Sequence, residues 1–205
     1  LKARDPSAVL AAHPQGQAMG ASWSWLGSWW ARDLPLGCDD KPGFATLAKF
    51  SPNLSVGNRF AAASGDFDVV VSTVPPVNLD GSQCWELCTH SLLFEDGHGQ
   101  EAADEEALAR SRMVEGATIV ADAVGAGKRT LVHCEWGQNR SGAVCGAFAV
   151  LHLGWEPAAA IEYLRERNIA ERQYEGQCPM WNETFNRLLG ELAAARADAA
   201  AGPRA

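Results

Sequence analysis

The stretch Thr130-Leu131-Val132-His133-Cys134-Glu135-Trp136-Gly137-Gln138-Asn139-Arg140-Ser141-Gly142 constrains this chain more than any other. Thr130 to Val132 is an apolar run with strand character that ends in His133-Cys134, and Gly142 to Leu151 reads as a buried helix. That order sets the intervening loop at the C-terminal end of a strand and the N-terminal end of a helix. Backbone N–H groups and the positive end of the helix dipole converge there and suit a dianionic phosphate. The same field favours a thiolate at Cys134, a nucleophile near neutral pH. Arg140 can curl back and grip two phosphate oxygens with its planar guanidinium.

The remaining pattern is α/β. Asn53 to Gly57 predicts a short strand, Phe60 to Ala63 a helical turn, and Phe67 to Val74 a buried strand stopped by Pro75-Pro76. Trp85 to Phe94 is a weaker strand candidate. A helix is expected over Asp104–Val124, with Leu108, Met113, Val114, Ile119 and Val120 facing inward and Gly125-Ala126-Gly127 ending it. Pro157 opens another helix that runs to Arg167. The last helix covers Trp181 to Ala195, with Trp181, Phe185, Leu188, Leu189 and Leu192 at helical spacing. Strands alternating with helices imply a central, mostly parallel twisted sheet flanked by helices, with the Cys134 loop at the C-terminal end of a central strand.

Three segments are expected. Residues 1–52 form an N-terminal extension, residues 53–195 the main domain, and residues 196–205 a fraying tail rich in Ala and Arg. Residues 35–53, punctuated by Pro and Gly, read as a connector. Upstream of it, Trp23, Trp25, Trp29 and Trp30 fall within one short span. Burial against the domain surface is the simpler reading of so many large aromatics, and a recognition wall for a substrate or partner is the sharper one.

Composition narrows the function. A net charge of -8 argues against nonspecific nucleic-acid binding, which needs a basic face. No stretch approaches the ~20 apolar residues of a membrane span. The first residues carry no secretory signal, although targeting from a missing upstream segment stays open. The six cysteines, Cys38, Cys84, Cys88, Cys134, Cys145 and Cys178, form no paired CxxC units, so neither a zinc site nor a disulfide framework is expected. A reduced, intracellular and cytoplasmic protein is the simplest reading.

His133-Cys134-x5-Arg140-Ser141 resembles the phosphate loop of cysteine-based protein phosphatases, and its Leu131-Val132-His133-Cys134, Gly137 and Arg140-Ser141 resemble the dual-specificity (VH1-like) branch. Leu54-Ser55-Val56-Gly57 resembles that branch's early strand. Asn182-x-x-Phe185 resembles its final helix start, with Met180-Trp181 in place of the usual preceding residues. The likeness covers roughly residues 53–195. It implies Cys134 as nucleophile and an aspartate as general acid, then base. It also implies phosphate binding by Arg140 and by the loop N–H groups of Glu135, Trp136, Gly137, Gln138 and Asn139. Ser141 is implied as a donor to the sulfur and His133 as a support rather than a base. Neither metal nor other cofactor is implied.

Two aspartates compete for the acid. Asp96 follows Ser91 to Glu95 and fits the family position better, at the cost of a longer loop to be absorbed before the helix. Asp104 reads equally well as a helix N-cap or first-turn residue.

The loop interior contains no lysine, and Glu135 adjoins the nucleophile. Both features favour a phosphorylated Tyr, Ser or Thr side chain of a protein over a polyanionic inositol phosphate or RNA 5′-triphosphate. Trp136 lines the rim or packs beneath the loop; both readings stand. The alternatives are a phosphoprotein-binding module without turnover, an arsenate reductase of Cys-x5-Arg type, and a phosphatase acting on a non-protein ester.

Overall fold

The computed structural model describes residues 43–64, 66–97, 103–171 and 180–201. Its strands are β1 (Phe44–Thr46), β2 (Leu54–Gly57), β3 (Val69–Ser72), β4 (His90–Ser91) and β5 (Thr130–His133). Its helices are α1 (Ala103–Gly125), α2 (Arg140–His152), α3 (Pro157–Glu171) and α4 (Glu183–Ala201). One five-stranded sheet runs in the order β1-β2-β5-β3-β4. Only β1 is antiparallel to its neighbour; β2, β5, β3 and β4 pair in parallel.

Sheet order puts β5 in the middle, and all four of its residues are buried. A parallel strand covered on both faces is expected to be apolar throughout, which explains the unbroken Leu131-Val132 run. Side chains alternate across the pleat. Val132, Val56 and Val71 join the main core with residues of all four helices, whereas Leu131 and Val70 pack with Ala61 and Ala62 in a smaller cluster.

Helix α2 is the hub of the helical layer. Ser141 to Val150 are all buried, as expected of a helix apolar around its whole circumference. Neighbouring helices approach it closely at glycines: a Cβ on Gly116 of α1 would lie 2.7 Å from Val144 Cγ1. Helix α1 ends in paired bonds, Gly127 N–H to Val124 O and Lys128 N–H to Ala123 O, with Gly127 at φ +71°. Glycine takes that left-handed geometry without strain, so the chain reverses cleanly into β5.

Several expectations need correction. Phe44–Thr46, within the stretch read as a connector, is an edge strand, because three residues of alternating exposure are too short a pattern to stand out. The next residues are held to the domain too: Lys49 N–H donates to Tyr163 Oη, and the Phe50 ring meets Trp155 and Tyr163 edge-on. The expected strand over 85–94 is instead a 3-10 turn (Trp85–Leu87) followed by the two residues of β4. In α1, Leu108 and Val114 face solvent, while Ala109, Gly116, Ala117 and Ala123 share the inner face with Met113 and Val120. That face is narrow and small because α2 lies so close. The last helix continues past Ala195 to Ala201, since alanine and arginine are strong helix formers even without a core to bury. Trp181 is 41% exposed, not inward, and precedes the helix. The Trp-rich segment, Cys38 and Cys178 lie outside the described residues.

Candidate active site

The Cys134 loop leaves the end of β5, between the ends of β2 and β3. Cys134 N–H donates to Gly57 O at 3.3 Å, and Thr73 donates to His133 O through both its N–H and its hydroxyl, each at 3.0 Å. The loop entrance is thereby fixed from both neighbouring strands. Gly57 is pressed close: a Cβ there would stand 2.6 Å from Ala61 Cβ and 2.9 Å from Leu131 Cδ1.

Cys134 is 2% exposed, and its sulfur accepts two hydrogen bonds, from Gly137 N–H at 3.1 Å and Ser141 Oγ at 3.2 Å. Gly137 sits at φ +70°, the geometry that turns its N–H back toward the sulfur.

Arg140, the first residue of α2, donates from one terminal nitrogen to Phe94 O at 3.3 Å. Its Nε is buried and has no hydrogen-bond partner among the described residues. A buried guanidinium donor left over from protein contacts is what an anion site requires.

Burial raises the Glu135 carboxyl above its ordinary range, while Arg59 and then Arg140 pull it back. Arg59 pairs with it at 2.8 Å, so the negative charge beside Cys134 is largely compensated within the protein. Arg59 had no sequence motif to mark it. Trp136 is half-buried, and Gly137, Gln138 and Asn139 are buried.

His133 is fully buried and bonded to Ser72 Oγ at 2.7 Å through Nε2. Burial pushes its pKa down to about 4, so the ring is neutral near pH 7. Any support it lends to a thiolate therefore comes through hydrogen bonding and position, not charge. Burial, with negative charge on Cys134 second, pushes the Cys145 thiol up, which keeps that cysteine protonated.

The two candidate acids stand apart. Asp96 lies against the loop, accepting from Asn139 Nδ2 at 3.2 Å and from Asn182 Nδ2 at 3.0 Å. Asp104 lies exposed in the first turn of α1, where a negative charge complements the helix dipole. Because α1 starts at Ala103, only residues 98–102, outside the description, separate it from the Asp96 segment. Among the described residues no group of three or more His, Cys, Asp or Glu side chains is placed to hold a metal ion, and no helix among them is long and apolar enough to cross a membrane.

Residues 86–191 match the family described as "Dual specificity phosphatase, catalytic domain". No curated protein sequence matches the chain. Among solved structures, human DUSP28 is similar with a TM-score of 0.55 and 22% identity, over 75% of this chain and 95% of that one. A mouse putative dual specificity phosphatase, complexed with zinc tungstate, is similar with a TM-score of 0.58 and 20% identity, over 80% of this chain and 94% of that one.

Proposed function

The chain belongs to the dual specificity phosphatase catalytic-domain family, and from that premise we propose that it hydrolyses phosphate monoesters on protein side chains by way of a cysteinyl-phosphate. The observation that carries this reading is the doubly hydrogen-bonded Cys134 sulfur, in one loop with Arg140. In the first step the Cys134 thiolate attacks phosphorus in line. The S–P bond forms as the P–O bond to the substrate breaks, and Asp96 gives its proton to the departing oxygen. In the second, Asp96 takes a proton from water, the water oxygen bonds to phosphorus, and the S–P bond breaks to release inorganic phosphate. Arg140 and the loop N–H groups bind the equatorial oxygens, where most of the transition-state charge resides. Ser141 donates to the sulfur and eases its departure in the second step.

The preference for a phosphorylated protein side chain is supported by the lysine-free interior of the loop. Pairing of Glu135 with Arg59 weakens the repulsion that Glu135 alone would exert, so the missing lysines bear most of that argument. The exposed side chain of Trp181, a residue whose backbone N–H donates to Asn139 Oδ1 of the loop, offers an apolar rim for a peptide substrate.

The test is turnover of p-nitrophenyl phosphate and of phosphotyrosine, phosphoserine and phosphothreonine peptides by the wild type beside Cys134→Ser. Turnover that is lost in Cys134→Ser supports the enzyme. Peptide binding by the wild type with no turnover of any ester would replace it with a phosphoprotein-binding module, and turnover that survives Cys134→Ser would overturn the assigned nucleophile.

A further inference from the structure

Asn139 stands at the N-cap of α2, immediately before Arg140, and is 2% exposed. An N-cap asparagine ordinarily turns its side chain back onto the first N–H groups of its own helix. Here it makes no such bond. Its Nδ2 donates to Asp96 Oδ2 at 3.2 Å, and its Oδ1 accepts from the N–H groups of Trp181 at 3.1 Å and Asn182 at 3.4 Å. The orientation of the amide is unambiguous, because the carboxylate can only accept from it and the two N–H groups can only donate.

Asn182 closes the ring from the far side. Its Nδ2 donates to Asp96 Oδ1 at 3.0 Å and to Gly97 O, while its Oδ1 caps α4 by accepting from Phe185 N–H at 3.3 Å. The entry to this corner is also pinned. Met180, at φ +56°, is fully buried, and its carbonyl accepts from Arg165 at 2.9 Å and from Asn186 at 3.0 Å. Both oxygens of Asp96 are thus gripped by amide donors, one from the phosphate loop and one from the start of α4.

Resting on the phosphatase reading above, we propose that Asn139 is the positioning residue for Asp96. It ties the acid to the loop that carries the nucleophile, so that acid, Cys134 and Arg140 form one preassembled unit. The Asn139 side chain is committed to Asp96, Trp181 and Asn182, whereas its backbone N–H stays with the loop and is kept by an alanine. It acts by keeping the Asp96 carboxyl within proton-transfer reach of the leaving oxygen, where a displacement of ~1 Å can cost on the order of 100-fold in rate.

In the first step, which kcat/KM reports, such a residue matters only when the leaving group needs a proton; the second step, with Asp96 as base, is common to every ester. The experiment compares p-nitrophenyl phosphate, whose leaving group departs unaided, with phenyl phosphate, whose leaving group does not. It uses wild type, Asp96→Asn, Asn139→Ala and the double variant, each checked for folding by its melting temperature. Asn139→Ala should lower kcat/KM for phenyl phosphate about tenfold or more, change it less than about threefold for p-nitrophenyl phosphate, and add little in the Asp96→Asn background. Asn182→Ser keeps a side chain able to cap α4 yet too short to reach Asp96, and it should show the same split even if Asn139→Ala does not fold. Equal losses on both esters, or a full additional loss in the Asp96→Asn background, would overturn the positioning role alone. Phenyl phosphate turnover unaffected by Asp96→Asn would instead overturn the acid assignment, and with it the role of Asn139.

Discussion

His133 Nε2 lies 2.7 Å from Ser72 Oγ, and neither residue is exposed to solvent. The pair links β5 to β3 beneath the phosphate loop and fixes the imidazole with its pKa lowered to about 4 from an ordinary 6.5. In the unfolded chain that ring takes up a proton near pH 6.5; in the folded chain it does so only near pH 4. The stability gained from the neutral ring is therefore complete above the unfolded value and is lost as pH falls toward the folded one. Between pH 7.5 and pH 5 the histidine should remove about 2 kcal/mol. Urea unfolding at both pH values should show that much less acid sensitivity in His133→Gln than in the wild type.

The ion pair between Arg59 and Glu135 supports a second prediction. Both side chains are less than a quarter exposed, so removing only the arginine leaves a poorly solvated carboxylate beside Cys134. Arg59→Ala should cost about 1–3 kcal/mol of stability. Adding Glu135→Gln to Arg59→Ala should recover most of that loss, because no charge is then left unpaired. Urea unfolding of both variants checks this, and an Arg59→Ala protein as stable as the wild type would contradict this account.

Asp96 and Asp104 differ in what surrounds them, and they should differ in what their removal does. Asp96→Asn should lower kcat for a phosphotyrosine peptide by about 100-fold or more with little change in KM. Asp104→Asn removes an exposed first-turn charge and should alter stability by less than about 1 kcal/mol while leaving turnover intact. Steady-state kinetics on the two variants side by side decide the assignment, and a reversed pattern would return the acid to α1.

Gly57 leaves no room for a side chain, and its carbonyl also accepts from Cys134 N–H. Gly57→Ala should destabilise the fold by about 1–3 kcal/mol through overpacking against Ala61 and Leu131. Because the displaced carbonyl belongs to the loop entrance, it should also lower activity in the molecules that remain folded. A melting temperature reduced with wild-type kcat would mean that the loop tolerates the shift.

What could be read from sequence was what a single segment carries. The strand, loop and helix around Cys134 were legible because apolar run, nucleophile, glycine, arginine and helix follow one another without interruption. Helix α1 was placed to within a residue at each end, since its length outlasts any ambiguity of pattern. Its inward face was not, because the inner positions are Ala and Gly chosen for close approach to α2, and no single-helix periodicity reveals a neighbour. Edge strand β1 escaped, and β4 was expected too long, for a related reason: their residues are strands only where a pairing partner distant in the chain reaches them.

Sequence by itself determined the strand, Cys-x5-Arg loop and helix that follow one another around Cys134, and the α/β class, because each depends on local order and backbone period. Tertiary structure alone decided which charge compensates Glu135, what holds His133 neutral, and how Asn139 and Asn182 bring Asp96 against the phosphate loop. Those relationships join residues far apart in the chain, most of them in loops, and hydrogen bonds and ion pairs of that kind have direction and reach only once the chain has folded.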